Sequence, residues 1–191
     1  MKGEIKMIDE IIADAEKRME KSVHSLESAL NKIRTGRAHP GILDSVVVSY
    51  YGTDTPIQQV ANITIEDART IAVTPWEKNI LPEVEKAIMK SDLGLNPSNN
   101  GDVIRLPMPA LTEETRKEYT RQAKQEAENG RIAVRNIRRD ANSGTKDLLK
   151  EKEISEDEER KAEQTIQKLT DSFIAKIDKK YEEKEADLLT I

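Results

Sequence analysis

Apolar or small residues recur at alternating steps of three and four through the N-terminal segment: Ile5, Ile8, Ile12, Ala15, Met19, Ser22, Leu26, Ala29 and Ile33. That period keeps one face of a helix apolar, so the pattern predicts one long amphipathic helix ending near Arg34. A second run of the same period opens after Thr112, which precedes Glu113 and Glu114 as an N-cap would, and follows Tyr119, Ala123, Ala127, Gly130, Val134, Ile137, Ala141, Gly144 and Leu148. Its small residues let a neighbouring helix approach closely, while Gly130 and Gly144 each cost helix stability. A third run begins at Ser155, which forms a capping-box pattern with Glu158, and continues through Ala162, Ile166, Leu169, Phe173, Ile177 and Tyr181. Three such stripes can be buried against one another.

Between the first two runs the period changes. Short β-rich stretches occupy Ser45 to Tyr51, Gln59 to Ile65, Arg69 to Val73 and Val103 to Leu106, with one short helical stretch from Pro82 to Lys90. Tyr51, Gly52, Thr53 and Asp54 read as a turn, and SDLGLNPSNNG from Ser91 to Gly101 reads as loop. The expected architecture is α+β: a long three-helix bundle of residues 1–35 and 106–191, split by a small β/α/β domain at 36–105. Thr35 and Gly36 form one connection; Leu106, Pro107 and Pro109 mark the other. With glycine permissive and the prolines stiff, these five residues are hinge candidates.

Charge adds a candidate site. The formal net charge is -5, yet from Arg116 to Arg139 eight Lys/Arg face three Glu. In RIAVRNIRRDAN, Arg131, Arg135, Arg138, Arg139 and Asn142 fall within roughly a third of a helical turn, with Ala133, Val134, Ile137 and Ala141 on the other side. Guanidinium groups match phosphate bidentately, so such a row suits a polyanionic backbone. The competing reading is a solvated face paired with acids of a neighbouring helix; from Glu151 onward the chain carries 13 acids against 8 bases. Aromatic residues are only 3% of the chain, so an RNA-binding surface here would read backbone and shape, without stacking platforms for splayed bases.

Other chemistry finds little support. Phosphate-loop, dinucleotide and HExxH patterns are missing. His24 reads as a surface imidazole, and His39, before Pro40, is a general-base candidate without a visible nucleophile. Asp44, Asp54, Glu66, Asp67 and Asp92 lack metal-loop spacing. No catalytic residue, metal or cofactor is expected. The chain has no Cys, no apolar run of membrane-spanning length and no apolar stretch of export-signal type at its start. A cytoplasmic monomer without a membrane partner is expected.

Five segments taken together are more specific: IRTGRAHP at Ile33 to Pro40, SDLGLNP at Ser91 to Pro97, IRLPMPALTEETR at Ile104 to Arg116, RIAVRNIRRDAN at Arg131 to Asn142, and KEISEDE at Lys152 to Glu158. In this order they resemble the ribosome recycling factors, over essentially the full chain. The resemblance implies an L-shaped pairing of bundle and inserted domain. It also implies binding to the bacterial ribosome after termination, and subunit separation with elongation factor G, which carries the GTP. Carried over by motif, Arg138 and Arg135 match the bundle arginines that contact large-subunit ribosomal RNA; Arg131, Arg139, Arg34 and Arg116 lie in matching segments beside them. The alternative from the residues alone is a helical adaptor protein that binds no RNA.

Overall fold

The computed structural model describes residues 2–190, with the side chains of Lys2, Glu4 and Ile5 left aside; the expected apolar role of Ile5 therefore lies outside the described side chains. Among these residues run four α-helices, α1 (Lys2–Asn31), α2 (Leu81–Lys90), α3 (Glu113–Lys150) and α4 (Glu156–Leu189). Six strands accompany them: β1 (Val47–Tyr50), β2 (Thr53–Pro56), β3 (Ala61–Asp67), β4 (Thr70–Pro75), β5 (Ser98–Asn99) and β6 (Ile104–Pro107). By packing, the chain divides into two units. One holds α1 up to Leu30 with Thr120–Glu185; the other holds Asn31–Tyr119 and the segment from Ala186 onward.

The helical unit is built from the three predicted stripes. Ala15, Met19, Val23, Leu26 and Leu30 of α1, Ala123, Ala127, Val134, Ile137 and Ala141 of α3, and Ala162, Ile166, Phe173 and Ile177 of α4 are all buried. Gly130 marks where the three helices meet. A Cβ there would sit 3.4 Å from Ile177 Cδ1 of α4 and 3.7 Å from Leu26 Cδ2 of α1, ordinary contact distances, so the position is surrounded by both neighbours yet has room for a methyl group. Gly144 is tighter: an added Cβ there would lie 3.3 Å from Ile11 Cδ1 of α1, and Ile11 would have to give way.

Both predicted helix starts are capped. The Thr115 N–H donates to Thr112 Oγ1 at 3.1 Å, which opens α3. The Glu158 N–H donates to Ser155 Oγ at 3.2 Å while the Ser155 N–H donates to the Glu158 carboxylate at 2.8 Å, a reciprocal pair that satisfies two donors at the start of α4. The first helix ends at Asn31, short of the expected Arg34.

In the second unit, strands β3-β4-β6-β5 form an antiparallel sheet and β1-β2 a hairpin. The hairpin turn is two residues, Tyr51 (φ 48) and Gly52 (φ 81), with Tyr50 paired to Thr53. Thr53 and Asp54, expected in the turn, open β2 instead: positive φ at both central residues matches the strand twist and closes the hairpin at once. Likewise Ser98 and Asn99, expected in a loop, pair with Arg105 and Ile104. Helix α2 packs on β1, burying Leu81, Val84 and Ile88 at steps of three and four. Leu43, Val48, Ile57, Ile71, Val73, Ile104 and Leu106 complete that core.

This unit is larger than the 36–105 insertion suggested by the sequence. Arg34 donates from Nη2 to the Leu93 carbonyl, the Met108 N–H donates to the Arg69 carbonyl at 2.6 Å, and Arg37 pairs with Asp187 at 2.9 Å, drawing flanking segments onto it. All five hinge candidates fall inside it. Leu106 is fully buried in β6 opposite Ile71, and Pro107 ends that strand opposite Thr70. Thr35, Gly36 and Pro109 lie in irregular segments.

Candidate nucleic-acid interface

The middle of α3 presents the basic residues. Its buried row runs Ala123, Ala127, Gly130, Val134, Ile137, Ala141 and Thr145. At about 100° per residue, Arg131 and Arg138 flank this row, while Arg139 lies opposite to it. The arginines thus span a flank and the outer face, and exposed Ile132 shares that outer face with Arg139.

Their environments differ. Arg131 is the most enclosed: its side chain is 20% exposed, and its Nε and Nη2 reach Asp178 Oδ1 of α4 at 2.8 Å, while Nη1 reaches Glu128 at 3.1 Å. Burial works against its charge, but hydrogen bonds to Asp178 and Glu128 outweigh it and leave the guanidinium pKa raised. Arg135 is freer, with Glu128 at 3.4 Å. Arg139 is exposed, and among the described residues its Nη1 touches only the neutral Asn136 Oδ1 at 3.5 Å. Arg138 is half-buried and makes no hydrogen bond or ion pair with any described residue. At the N-terminal end of the stripe, then, acids from outside it do pair with an arginine. Glu128, one turn earlier, and Asp178, brought alongside by α4, neutralise Arg131 in the manner of a helix-to-helix clamp.

Two further candidates, Arg34 and Arg116, belong to the second unit. Arg34 is half-buried on the Leu93 carbonyl, and Arg116 is half-buried in the second turn of α3 with its own N–H donating to the Thr112 carbonyl at 2.9 Å. One basic residue escaped the sequence reading. Lys146, two turns beyond Arg138, lines a groove between α3 and α4 together with Arg138, Arg139 and Asn142. The step of eight from Arg138 was visible in the sequence, but the groove exists only once α4 has packed.

Several other titratable residues make contacts within the fold. His24 is exposed, 3.6 Å from Glu27, and Glu27 is held below the usual carboxylate range chiefly by the hydrogen bond from Lys180 of α4. His39 Nδ1 accepts the Gly41 N–H at 3.0 Å and so caps the short helical turn Pro40–Leu43. Asp67 accepts the Arg69 N–H at 2.8 Å, which depresses its pKa. Glu66 pairs with Arg105 at 3.0 Å. Among the described residues no group of three His, Asp or Glu could hold a metal ion, and no helix is long and apolar enough to cross a membrane.

Known proteins resemble this chain closely. The family model described as ribosome recycling factor matches residues 26–189. A ribosome-recycling factor of Marinomonas sp. is 67% identical over 185 residues, covering 97% of this chain and all of the relative. One from Hahella chejuensis is 62% identical with the same coverage. A solution structure of a ribosome recycling factor superposes with a TM-score of 0.78 at 38% identity, over 96% of this chain and 98% of that one. A second structure comes from models of the T. thermophilus ribosome recycling factor and the E. coli elongation factor G bound to the E. coli post-termination complex. It matches with a TM-score of 0.70 at 49% identity, covering 96% of this chain and 99% of that one. With this agreement of motif, sequence and fold along nearly its whole length, the chain belongs to the ribosome recycling factor family.

Proposed function

We propose that this chain binds the post-termination ribosome in the cytoplasm and, with elongation factor G and the GTP that partner carries, splits it into subunits so that messenger and tRNA are released. The family is one of non-enzymatic translation factors. The observation that carries the reading is Arg138, unpaired among the described residues and flanked by exposed Arg139 and Lys146 on α3. A cation that no described carboxylate neutralises is available to a phosphate of large-subunit ribosomal RNA. Arg135, only loosely held by Glu128, adds a second fork, whereas Arg131 acts mainly by fastening α3 to α4. Thr35, Gly36 and Pro109 remain the pivot candidates for motion after docking.

Light scattering tests this. Purified post-termination ribosomes are mixed with the protein, a matched elongation factor G and GTP. The wild type is expected to lower scattering and the Arg135→Ala/Arg138→Ala double variant to fail. An unchanged signal with wild type removes the splitting assignment, and a double variant as active as wild type removes the arginines from it.

A further inference from the structure

Three of the six aromatic residues of this chain, Tyr50, Tyr51 and Trp76, belong to the β1-β2 hairpin and the segment just after β4. Tyr51 and Trp76 are 69% and 64% exposed, so large apolar surfaces are left in water there. Tyr51 also holds a left-handed φ of 48 in the hairpin turn, a position that glycine or asparagine fills with less strain. Its ring is fixed in place. The Tyr51 hydroxyl donates to Glu77 Oε2 at 2.9 Å and accepts from Asn79 Nδ2 at 3.1 Å, and Tyr50 meets the ring edge-on with centroids 4.6 Å apart. A ring placed in advance loses little freedom on contact, and Tyr and Trp are residue types that anchor interfaces.

Glu77 gives the cluster its sign. Tyr50 donates to Glu77 Oε1 at 3.1 Å, and that bond holds the Tyr50 phenol above its ordinary pKa and therefore neutral. The Glu77 carboxylate thus has two neutral donors and no cation partner among the described residues. Lys78, next in sequence, is engaged by Asp102 at 2.6 Å instead. A carboxylate offers about four lone-pair sites, so Glu77, which is exposed, keeps acceptor capacity facing solvent. A guanidinium group suits both features, because its plane stacks on an aromatic face while its N–H fork donates to a carboxylate. Phosphate does not suit them: residues 36–105 carry nine acids against six Lys/Arg. Small-molecule sites are concave whereas this cluster is exposed, so the fitting guanidinium is one carried on a protein surface. We propose that Tyr51 and Glu77 form a receptor for an arginine side chain of a protein partner, the guanidinium stacking on the open face of Tyr51 and donating to Glu77. This requires neither the RNA-binding reading of α3 nor the splitting assignment.

The test titrates the isotope-labelled full-length protein with a capped Gly-Arg-Gly peptide and follows the backbone amides of Tyr51 and Glu77 and the indole of Trp76 by NMR. Gly-Lys-Gly and Gly-citrulline-Gly peptides are the controls, the second keeping the shape of arginine without its charge. The arginine peptide is expected to give saturable shifts at these positions, with a dissociation constant of about millimolar order for a contact of this size. Lysine should bind about 3–10-fold more weakly and citrulline should give no saturable shift. Tyr51→Asn removes the ring while suiting the left-handed turn, and Glu77→Gln removes the charge while keeping an acceptor for the phenols; each should weaken the arginine peptide by about 3–10-fold. The remaining amide shifts of each variant show whether its fold is intact, and Glu77→Gln decides the matter should Tyr51→Asn disturb the hairpin. No saturable shift at Tyr51 or Glu77 up to about 50 mM peptide overturns the receptor, as does equal affinity for arginine and lysine. Shifts that survive both substitutions also overturn it. An RNA hairpin that shifts Tyr51 and Trp76 where the arginine peptide does not would assign the cluster to base stacking instead and overturn it as well.

Discussion

Arg131 and Arg138 are separated by two turns of one helix, yet the structure gives them opposite consequences when truncated. Arg131→Ala removes hydrogen bonds at 2.8 Å to Asp178 and 3.1 Å to Glu128, and with them the tie between α3 and α4. A hydrogen bond to a charged group contributes about 1.5–3 kcal/mol. Asp178 and Glu128 side chains are 46% and 44% exposed and recover hydration once the arginine is gone, so the net loss is discounted to about 1–2 kcal/mol. For a chain of this size that lowers Tm by about 2–8 °C. Arg138→Ala breaks no pairing with a described residue and is expected to change stability by less than about 0.5 kcal/mol. Binding should reverse the order. In titrations against purified large subunits between about 50 and 200 mM salt, Arg138→Ala should reduce the slope of log affinity on log salt by about 0.7–0.9, the value of one phosphate contact, while Arg131→Ala leaves the slope unchanged. Thermal denaturation followed by circular dichroism supplies the other axis. A drop in Tm for Arg138→Ala as large as that for Arg131→Ala, or a salt slope reduced only by the Arg131 change, would refute the division of roles.

Three other outcomes follow from named contacts. Gly130→Ala should raise the stability of the helical unit by about 1 kcal/mol, because alanine favours helix by that much and its Cβ meets Ile177 at an ordinary 3.4 Å; a Tm below wild type would show that the helices cannot accept the methyl group. Lys180 depresses the Glu27 pKa, so the pair stabilises the fold above the unfolded carboxylate value of about 4.3 and loses that contribution as pH falls through the lower folded value. Lys180→Met should therefore lower Tm at neutral pH and narrow the gap from wild type in acid; a gap independent of pH would show that Glu27 titrates alike in both states. Gly36 has open space around it, so Gly36→Ala should leave folding and activity near wild type, whereas Gly36→Pro, which fixes φ, should impair subunit splitting more than ribosome binding; equal losses would mean the backbone there matters already at docking.

Much of this molecule can be read from periodicity. The stripes from Ala15 to Leu26, Ala123 to Ala141 and Ala162 to Ile177 are helical and buried because a 3.6-residue repeat of apolar positions has one way to leave water. Thr112 and Ser155 start their helices because their side chains satisfy local N–H groups, an interaction contained within four residues. The arginine row was legible for the same reason. What periodicity could not decide was which arginines remain free. Asp178 lies far along the chain from Arg131 and meets it only because α4 packs against α3, while Arg138 meets no carboxylate among the described residues. Strand edges behaved likewise. Ser98 and Asn99 carry loop-type side chains and become β5 only because β6 offers unpaired backbone groups beside them, and Arg34, read as a neighbour of the basic stripe, is claimed by the Leu93 carbonyl. Local and periodic interactions are written in neighbouring residues, so the sequence determined the helices, their caps and the basic face. Pairing between distant segments depends on which surfaces meet, and only the tertiary structure decided which charges are spent on the fold and which are left for a partner.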